Sequence, residues 1–446
     1  MDARRCDDSP MSDLRAWLPR WKLSAGGIVA PDERLPAAQT LALGLQHVVA
    51  MFGATVLAPL LMGFDPNVAI LFSGVGTLIF FVAVGGRVPS YLGSSFSFIS
   101  VVIAATAYSG RGPNPNLGVA LGGIVGAGAV YTLIGAAVMR SGYRWIERLM
   151  PPVVTGAVVA VIGLNLAPIG VKGIAKSTAD AWIGIATILV VGLVAVRAPG
   201  LARRLPILLG GLAGYLLYAL AANGFGLATP MDFTAVARAP WIGCPTLTAP
   251  VWDARAVTLI APVAIVLVAE NLGHVKAVAA MTGRNLDPYL GRAFLGDGLA
   301  TMVAGAGGGT GVTTYAENIG VMAVTKIYST LIFVVAAVAA IVLGFSPKFG
   351  ALTMTIPGPV LGGLSIVVFG LIAATGGRIW VENRVDFSRA RNLVTAAVTL
   401  TVGAGDLALR FGGFTLGGIG TATFGAILLY QLFRDDSEGT DPGASL

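Results

Sequence analysis

Charge along this chain falls into short clusters, and the apolar stretches between them run roughly 16 to 24 residues, each enough helix to cross about 30 Å of hydrocarbon. Fourteen such segments can be drawn, at about 39–62, 67–84, 90–107, 117–139, 152–171, 181–197, 205–222, 256–279, 291–306, 310–325, 327–344, 358–376, 392–405 and 415–433. The ninth, tenth and thirteenth are short for straight spanning helices. Composition agrees with this pattern. Of 446 residues, 55% are hydrophobic and 11% charged, where a soluble domain carries about 25% charged residues. The chain reads as an all-α polytopic membrane protein.

The net charge of +7 suggests nucleic acid as a partner, but the placement of the basic residues argues for a membrane. With the N-terminus inside, 22 of the 29 Lys and Arg residues fall on the cytoplasmic side, the asymmetry that positive-inside bias produces. An even number of spans puts both termini in the cytoplasm. Residues 1–36 form a polar, Arg-rich leader with no apolar core and small-residue cleavage site, so no cleaved signal peptide is expected. The transmembrane domain then covers 37–433, and 434–446 (RDDSEGTDPGASL) reads as a solvated tail. Cys6 and Cys244 form neither a disulfide framework nor a metal spacing.

Two segments depart from ordinary spans. The third opens VPSYLGSSFSF (88–98) and the tenth follows GAGGGTGVTTY (305–315), crowding Gly, Ser and Thr where a continuous helix favours Leu or Ala. If the fourteen divide seven plus seven, these interrupted segments occupy matching positions of an inverted repeat, about 37–222 and 256–433, a pointer to a transporter binding site. The glycine run is no phosphate loop, because no Lys-Ser/Thr pair follows it.

Ionisable groups inside the segments are few and concentrated. Glu270 and His274, in AENLGH, lie four apart on one helical face. Segment ten supplies Glu317 and Asn318, and segment one Gln46 and His47. Such groups usually face a cavity or a partner. Glu270 and His274 could also bond each other and staple helices, and His47 could serve packing alone. An ionised carboxylate accepts only, which suits the N–H of a neutral heterocyclic amide. Exposed backbone N–H groups at the broken segments can donate to ring carbonyls. Phe96, beside Ser94 and Ser95, offers a flat face to a planar ring or fills the core. Together these features suit a small planar ligand such as a pyrimidine. With two histidines far apart in sequence and no metal-ligand spacing, an intramembrane enzyme is disfavoured.

At these residues the chain resembles the nucleobase–cation symporter family of uracil and xanthine permeases. The family signature is Gln, Glu or Pro followed by Asn-x-Gly and, after four more residues, Thr and a small or basic residue. Glu317-Asn318-Ile319-Gly320 through Thr325-Lys326 match it, and QHVVAMFGAT (46–55), GSSFSF (93–98) and AENLGH (269–274) resemble further family blocks. Glu317 at the first signature position is similar to the uracil branch, where purine members commonly carry Gln. The resemblance implies a core domain moving against a gate domain, often in a homodimer, in the bacterial cytoplasmic membrane. It implies uracil or a related nucleobase as substrate, a proton as coupling ion, and no cofactor or metal. Glu270 and Glu317 would hold the ring's polar edge, Phe96 and the Tyr315–Ala316 backbone would border it, and His274 would couple proton movement. Ser95, His47 and Asn318 would support the site. Ala316 departs from the Gly that uracil permeases can have there. A broader uracil/xanthine or purine permease, and an anion exchanger of similar architecture, are the alternatives.

Overall fold

The computed structural model describes residues 17–433 except 25, 111, 201, 412 and 413; most of the leader's first half and the tail expected at 434–446 lie outside the described residues. Among the described residues, eight helices are long and apolar enough to cross a membrane. A ninth span is reached if Thr330–Gly344 and Pro347–Met354, bent by 82°, count as one. The multi-span helical class is therefore observed. The segments expected at 392–405 and 415–433 are 15-residue helices, Ala390–Ala404 and Gly418–Leu432.

We label the elements that position the site in chain order. Helices α1 (Ala37–Met62) and α2 (Pro66–Ala83) lead to strand β1 (Leu92–Ser94), a 3-10 turn and α3 (Ile99–Thr106). Next come α4 (Leu117–Ser141), α5 (Pro152–Ile174), α6 (Thr178–Arg197) and α7 (Pro206–Ala219). A short helix, Ala254–Ile260, breaks at Ala261–Pro262 before α8 (Val263–Thr282) and α9 (Leu290–Ala306). Strand β2 (Val312–Thr314) runs into α10 (Ala316–Thr325), followed by α11 (Thr330–Gly344), α12 (Pro347–Met354), α13 (Gly358–Glu382), α14 (Ala390–Ala404) and α15 (Gly418–Leu432). Helices α1, α2, α4, α9 and α11 pack as one group, and α5, α6, α7, α13, α14 and α15 as another.

The centre of the molecule is the antiparallel pair β1–β2, in register Leu92↔Thr314, Gly93↔Thr313 and Ser94↔Val312. Two outer bonds extend it, Ser95 N–H to the Gly311 carbonyl and Tyr315 N–H to the Tyr91 carbonyl, both 2.9 Å. Non-helical backbone at membrane depth must find every partner inside the protein. Thr77 on α2 accepts from Leu92 N–H at 2.9 Å, and Thr301 on α9 accepts from Val312 N–H at 3.3 Å. Gly93 is required, since a Cβ there would meet the Tyr315 ring at 2.5 Å.

The described part of the leader is docked against helix ends. Trp17 Nε1 donates to the Val82 carbonyl, Trp21 Nε1 to Thr330 Oγ1, and Val29 N–H to the Lys326 carbonyl at the end of α10. Polar composition concealed this, because two side chains, Trp17 and Trp21, and the Val29 backbone make these contacts.

Helices α4 and α9 approach through small residues, as lipid-embedded helices commonly do. A Cβ at Gly128 would stand 2.7 Å from the Met302 backbone nitrogen and 2.8 Å from the Gly298 carbonyl. Overpacking of this kind costs about 1–3 kcal/mol, so Gly128→Val is expected to lower the thermal unfolding midpoint of the detergent-solubilised protein. Gly192→Ala, with nothing within 4 Å of the added carbon, should not lower it.

Candidate substrate site

The β1–β2 pairing sets two helix N-termini side by side. Ser95 caps the first, accepting from Ser97 N–H at 3.3 Å, and Phe96 begins the turn into α3. The second, at Tyr315, has no side-chain cap. The first-turn N–H groups of Ala316 and Glu317 have no earlier helical carbonyl to reach, and they line a cavity of about 410 Å³.

That cavity lies between the two helix groups. One wall carries Ser95, Phe96, Glu270, His274, Ala316 and Glu317; the other carries Val159 and Ile162 of α5 and Ile372 and Arg378 of α13. Added carbons at Gly273 and Gly320, also on its lining, would meet nothing within 4 Å. Glu270 and Glu317 are both half-buried, and Glu270 Oε2 is an acceptor without a hydrogen-bond partner. Phe96 is also half-buried and held edge-on by Phe369, with ring centres 6.1 Å apart. Chemically, the wall presents carboxylate acceptors, helix-terminal N–H donors and one aromatic ring.

The expected site residues therefore come together, with two changes of role. Tyr315 borders the cavity, but its N–H is bonded to Tyr91 and its carbonyl accepts from Ile319 N–H. Its ring is buried, with the hydroxyl donating to the Ser94 carbonyl at 2.9 Å, so the first N–H of α10 outside the strand pairing is that of Ala316. The second concerns the alternative in which Glu270 and His274 bond each other. No hydrogen bond or ion pair joins Glu270 to His274; His274 Nδ1 lies 2.8 Å from Thr314 Oγ1 instead. Spacing of i and i+4 permits a contact, but β2 presents a closer polar partner.

His47 and Asn318 stand behind α10 rather than on the cavity. Asn318 Nδ2 donates to the His47 carbonyl at 3.1 Å and meets His47 Nδ1 at 3.0 Å, tying α10 to α1. His47 also packs against Phe333, with ring centres 4.7 Å apart.

Sequence reasoning missed several members. Asn271, Thr314, Tyr131 and Asp297 form a buried network behind His274. Asp297, in GDG within an apolar segment, carried the same signal as Glu270. At the cavity's other end stand Arg378 and Glu382, paired at 3.4 Å. They belonged by composition to a loop, whereas α13 continues to Glu382.

A multi-helix membrane scaffold enclosing a polar cavity at paired helix N-termini defines a transporter. The sequence pattern of the permease family matches residues 38–410. The chain belongs to this family, the nucleobase–cation symporter-2 permeases, and is a permease rather than an enzyme. It is 65% identical over 418 residues to RutG of Escherichia coli K12, provisionally named a pyrimidine permease, covering 93% of this chain and 95% of that protein. It is 42% identical over 425 residues to a uracil permease of Paenibacillus larvae, covering 91% and 97%. Among solved structures, the transmembrane domain of the cyanobacterial bicarbonate transporter BicA shares the fold at a TM-score of 0.60 and 16% identity, over 83% of this chain and 97% of that one.

The tie between α10 and α1 is testable. Leaving a buried polar group unsatisfied costs about 1–3 kcal/mol. Asn318→Ala, which leaves the buried His47 Nδ1 without its donor, is expected to lower the unfolding midpoint in detergent by several degrees.

Proposed function

We propose that this permease imports uracil, or a closely related pyrimidine, across the cytoplasmic membrane by proton symport. The observation that carries the reading is the shared cavity of Glu270 and Glu317 beside the N–H groups of Ala316 and Glu317. A pyrimidine dione alternates N–H and C=O around a flat ring. Carboxylates accept from its N–H groups, helix-terminal amides donate to its carbonyls, and Phe96 covers a face. Buried groups matched this way discriminate strongly, since a wrong ligand leaves them unpaired. The printed names of the two relatives support the same substrate class.

Proton coupling follows from titration. Glu270, Glu317 and His274 line one cavity, so their protonation and substrate binding are linked. We read the fourteen segments as an inverted seven-plus-seven repeat, about 37–222 and 256–433, with both termini cytoplasmic and segments three and ten interrupted. The equivalent backbone support of β1 by Thr77 and of β2 by Thr301 favours that reading. The helix group around β1–β2 is then the core and the α5–α7 and α13–α15 group the gate, and alternating access moves one past the other. On this topology the Arg378–Glu382 end of the cavity faces the cytoplasm.

The test is labelled uracil uptake into proteoliposomes under an inward proton gradient, without sodium and with excess xanthine in a parallel sample. Accumulation should resist xanthine and collapse with a protonophore. A requirement for sodium would replace the coupling ion, and no uracil uptake would overturn the substrate. Glu317→Gln, which keeps shape but exchanges an acceptor for a donor, is expected to reduce uptake at least tenfold, the equivalent of about 1.4 kcal/mol. Normal uptake by that variant would remove Glu317 from the site.

A further inference from the structure

Behind the cavity wall, an ionised Asp297 fixes the direction in which Asn271, Thr314 and His274 donate. Tyr131 on α4 has a single hydroxyl hydrogen and stands 3.2 Å from the Leu267 carbonyl and 3.3 Å from Asp297 Oδ2. That hydrogen goes to one of these acceptors. The phenolic oxygen then accepts from its remaining neighbour, the Asn271 amide 3.0 Å away. The same amide nitrogen lies 2.8 Å from Asp297 Oδ2. Two accepting oxygens thus fix the NH₂ end of Asn271, and its Oδ1 must face the other way.

There Oδ1 meets Thr314 Oγ1 at 3.4 Å. Thr314 also has one hydroxyl hydrogen, and donating it to Asn271 leaves its oxygen as acceptor for His274 Nδ1, 2.8 Å away. Neutral His274 then carries its hydrogen on Nδ1. The nitrogen outside the network, Nε2, keeps its lone pair. His47 resolves the opposite way. Asn318 Nδ2 donates to the His47 carbonyl, a pure acceptor, so the nitrogen end of that amide also faces His47 Nδ1, which accepts. His47 must carry its hydrogen on Nε2.

We infer that ionised Asp297 and Tyr131, acting through Asn271 and Thr314, lock neutral His274 as its Nδ1–H tautomer and so make Nε2 the atom that takes a proton from the cavity. Asp297 is a positioning residue, buried with no exposed surface. Outer partners of this kind commonly fix an imidazole's tautomer and orientation. The tautomer stands on hydrogen-bond geometry alone; its bearing on coupling rests on the proposed proton symport.

The experiment is nitrogen NMR of the full chain, ¹⁵N-labelled at histidine and reconstituted in lipid at mildly alkaline pH. With only two histidines in the chain, the spectrum should hold one Nδ1–H and one Nε2–H ring. His47→Gln should remove the Nε2–H set and assign the remainder to His274. Thr314→Val, which removes the acceptor, should cost His274 more than half of its Nδ1–H population, and Thr314→Ser should restore it. Asp297→Asn, whose amide can donate to Asn271 and turn it around, should raise an Nε2–H signal from His274. An Nε2–H tautomer for His274 in the unmodified protein would overturn the inference. So would an Nδ1–H signal unmoved in both Thr314→Val and Asp297→Asn. The expected tautomers in a chain that fails to take up uracil would support the inference while removing the transport reading.

Discussion

Two three-residue strands paired in the middle of a membrane protein are the constraint from which the rest follows. Backbone N–H and C=O groups in hydrocarbon cost several kcal/mol each when unsatisfied. Residues 91–95 and 311–315 meet that demand by bonding each other, and Thr77 and Thr301 meet it at the outer edges. Once the pairing is fixed, α3 and α10 begin side by side within the protein. Two sets of first-turn N–H groups are thereby aimed at a shared space, and the partial positive charge of helix N-termini collects where the carboxylates stand.

The packing around this centre is of a different kind. Lipid tails are as apolar as leucine, so helices in a membrane gain little by hiding apolar surface from one another. What holds α4 to α9 is close approach over Gly128 and Gly298, whose added carbons would strike opposing backbone. Glycine at 61 of 446 positions is therefore a packing feature as much as a sign of broken helix. It also makes the two helix groups internally tight, which lets a cavity persist along the seam between them.

Much of this was legible in the sequence, because in a membrane protein the cost of polarity is high enough to be read residue by residue. Glu270, Glu317 and Phe96 were found by their types and settings, and all three line one cavity. The missed parts were missed for physical reasons. A helix periodicity says which residues share a face, but not which strand crosses in front of them. Hence His274 reads as the partner of Glu270 when β2 brings Thr314 closer. The Tyr315–Ala316 backbone reads as a border of the ring, and only the strand pairing shows that the Tyr315 N–H is already bonded. Asp297 was visible in principle, but its partners come from three separate stretches of chain, and only the fold joins them. The leader misled in the opposite direction: average polarity hid Trp17, Trp21 and Val29, which dock it.

The polar groups of the site divide into two kinds. Asn271, Thr314 and Tyr131 spend their donors and acceptors on each other, on His274 and on backbone, and Asn318 spends its donor on His47, so their orientations are fixed by the fold. Glu270 and Glu317, by contrast, face the cavity, and Glu270 Oε2 has its accepting capacity uncommitted. A transporter needs both kinds. Committed groups hold geometry through a conformational cycle, whereas uncommitted ones supply the interactions whose strength depends on what is bound and on who carries the proton. His274 belongs to both sets, with one ring nitrogen bonded into the fixed network and the ring itself on the cavity lining. It joins the rigid interior to the substrate space through a ring that can gain or lose a proton.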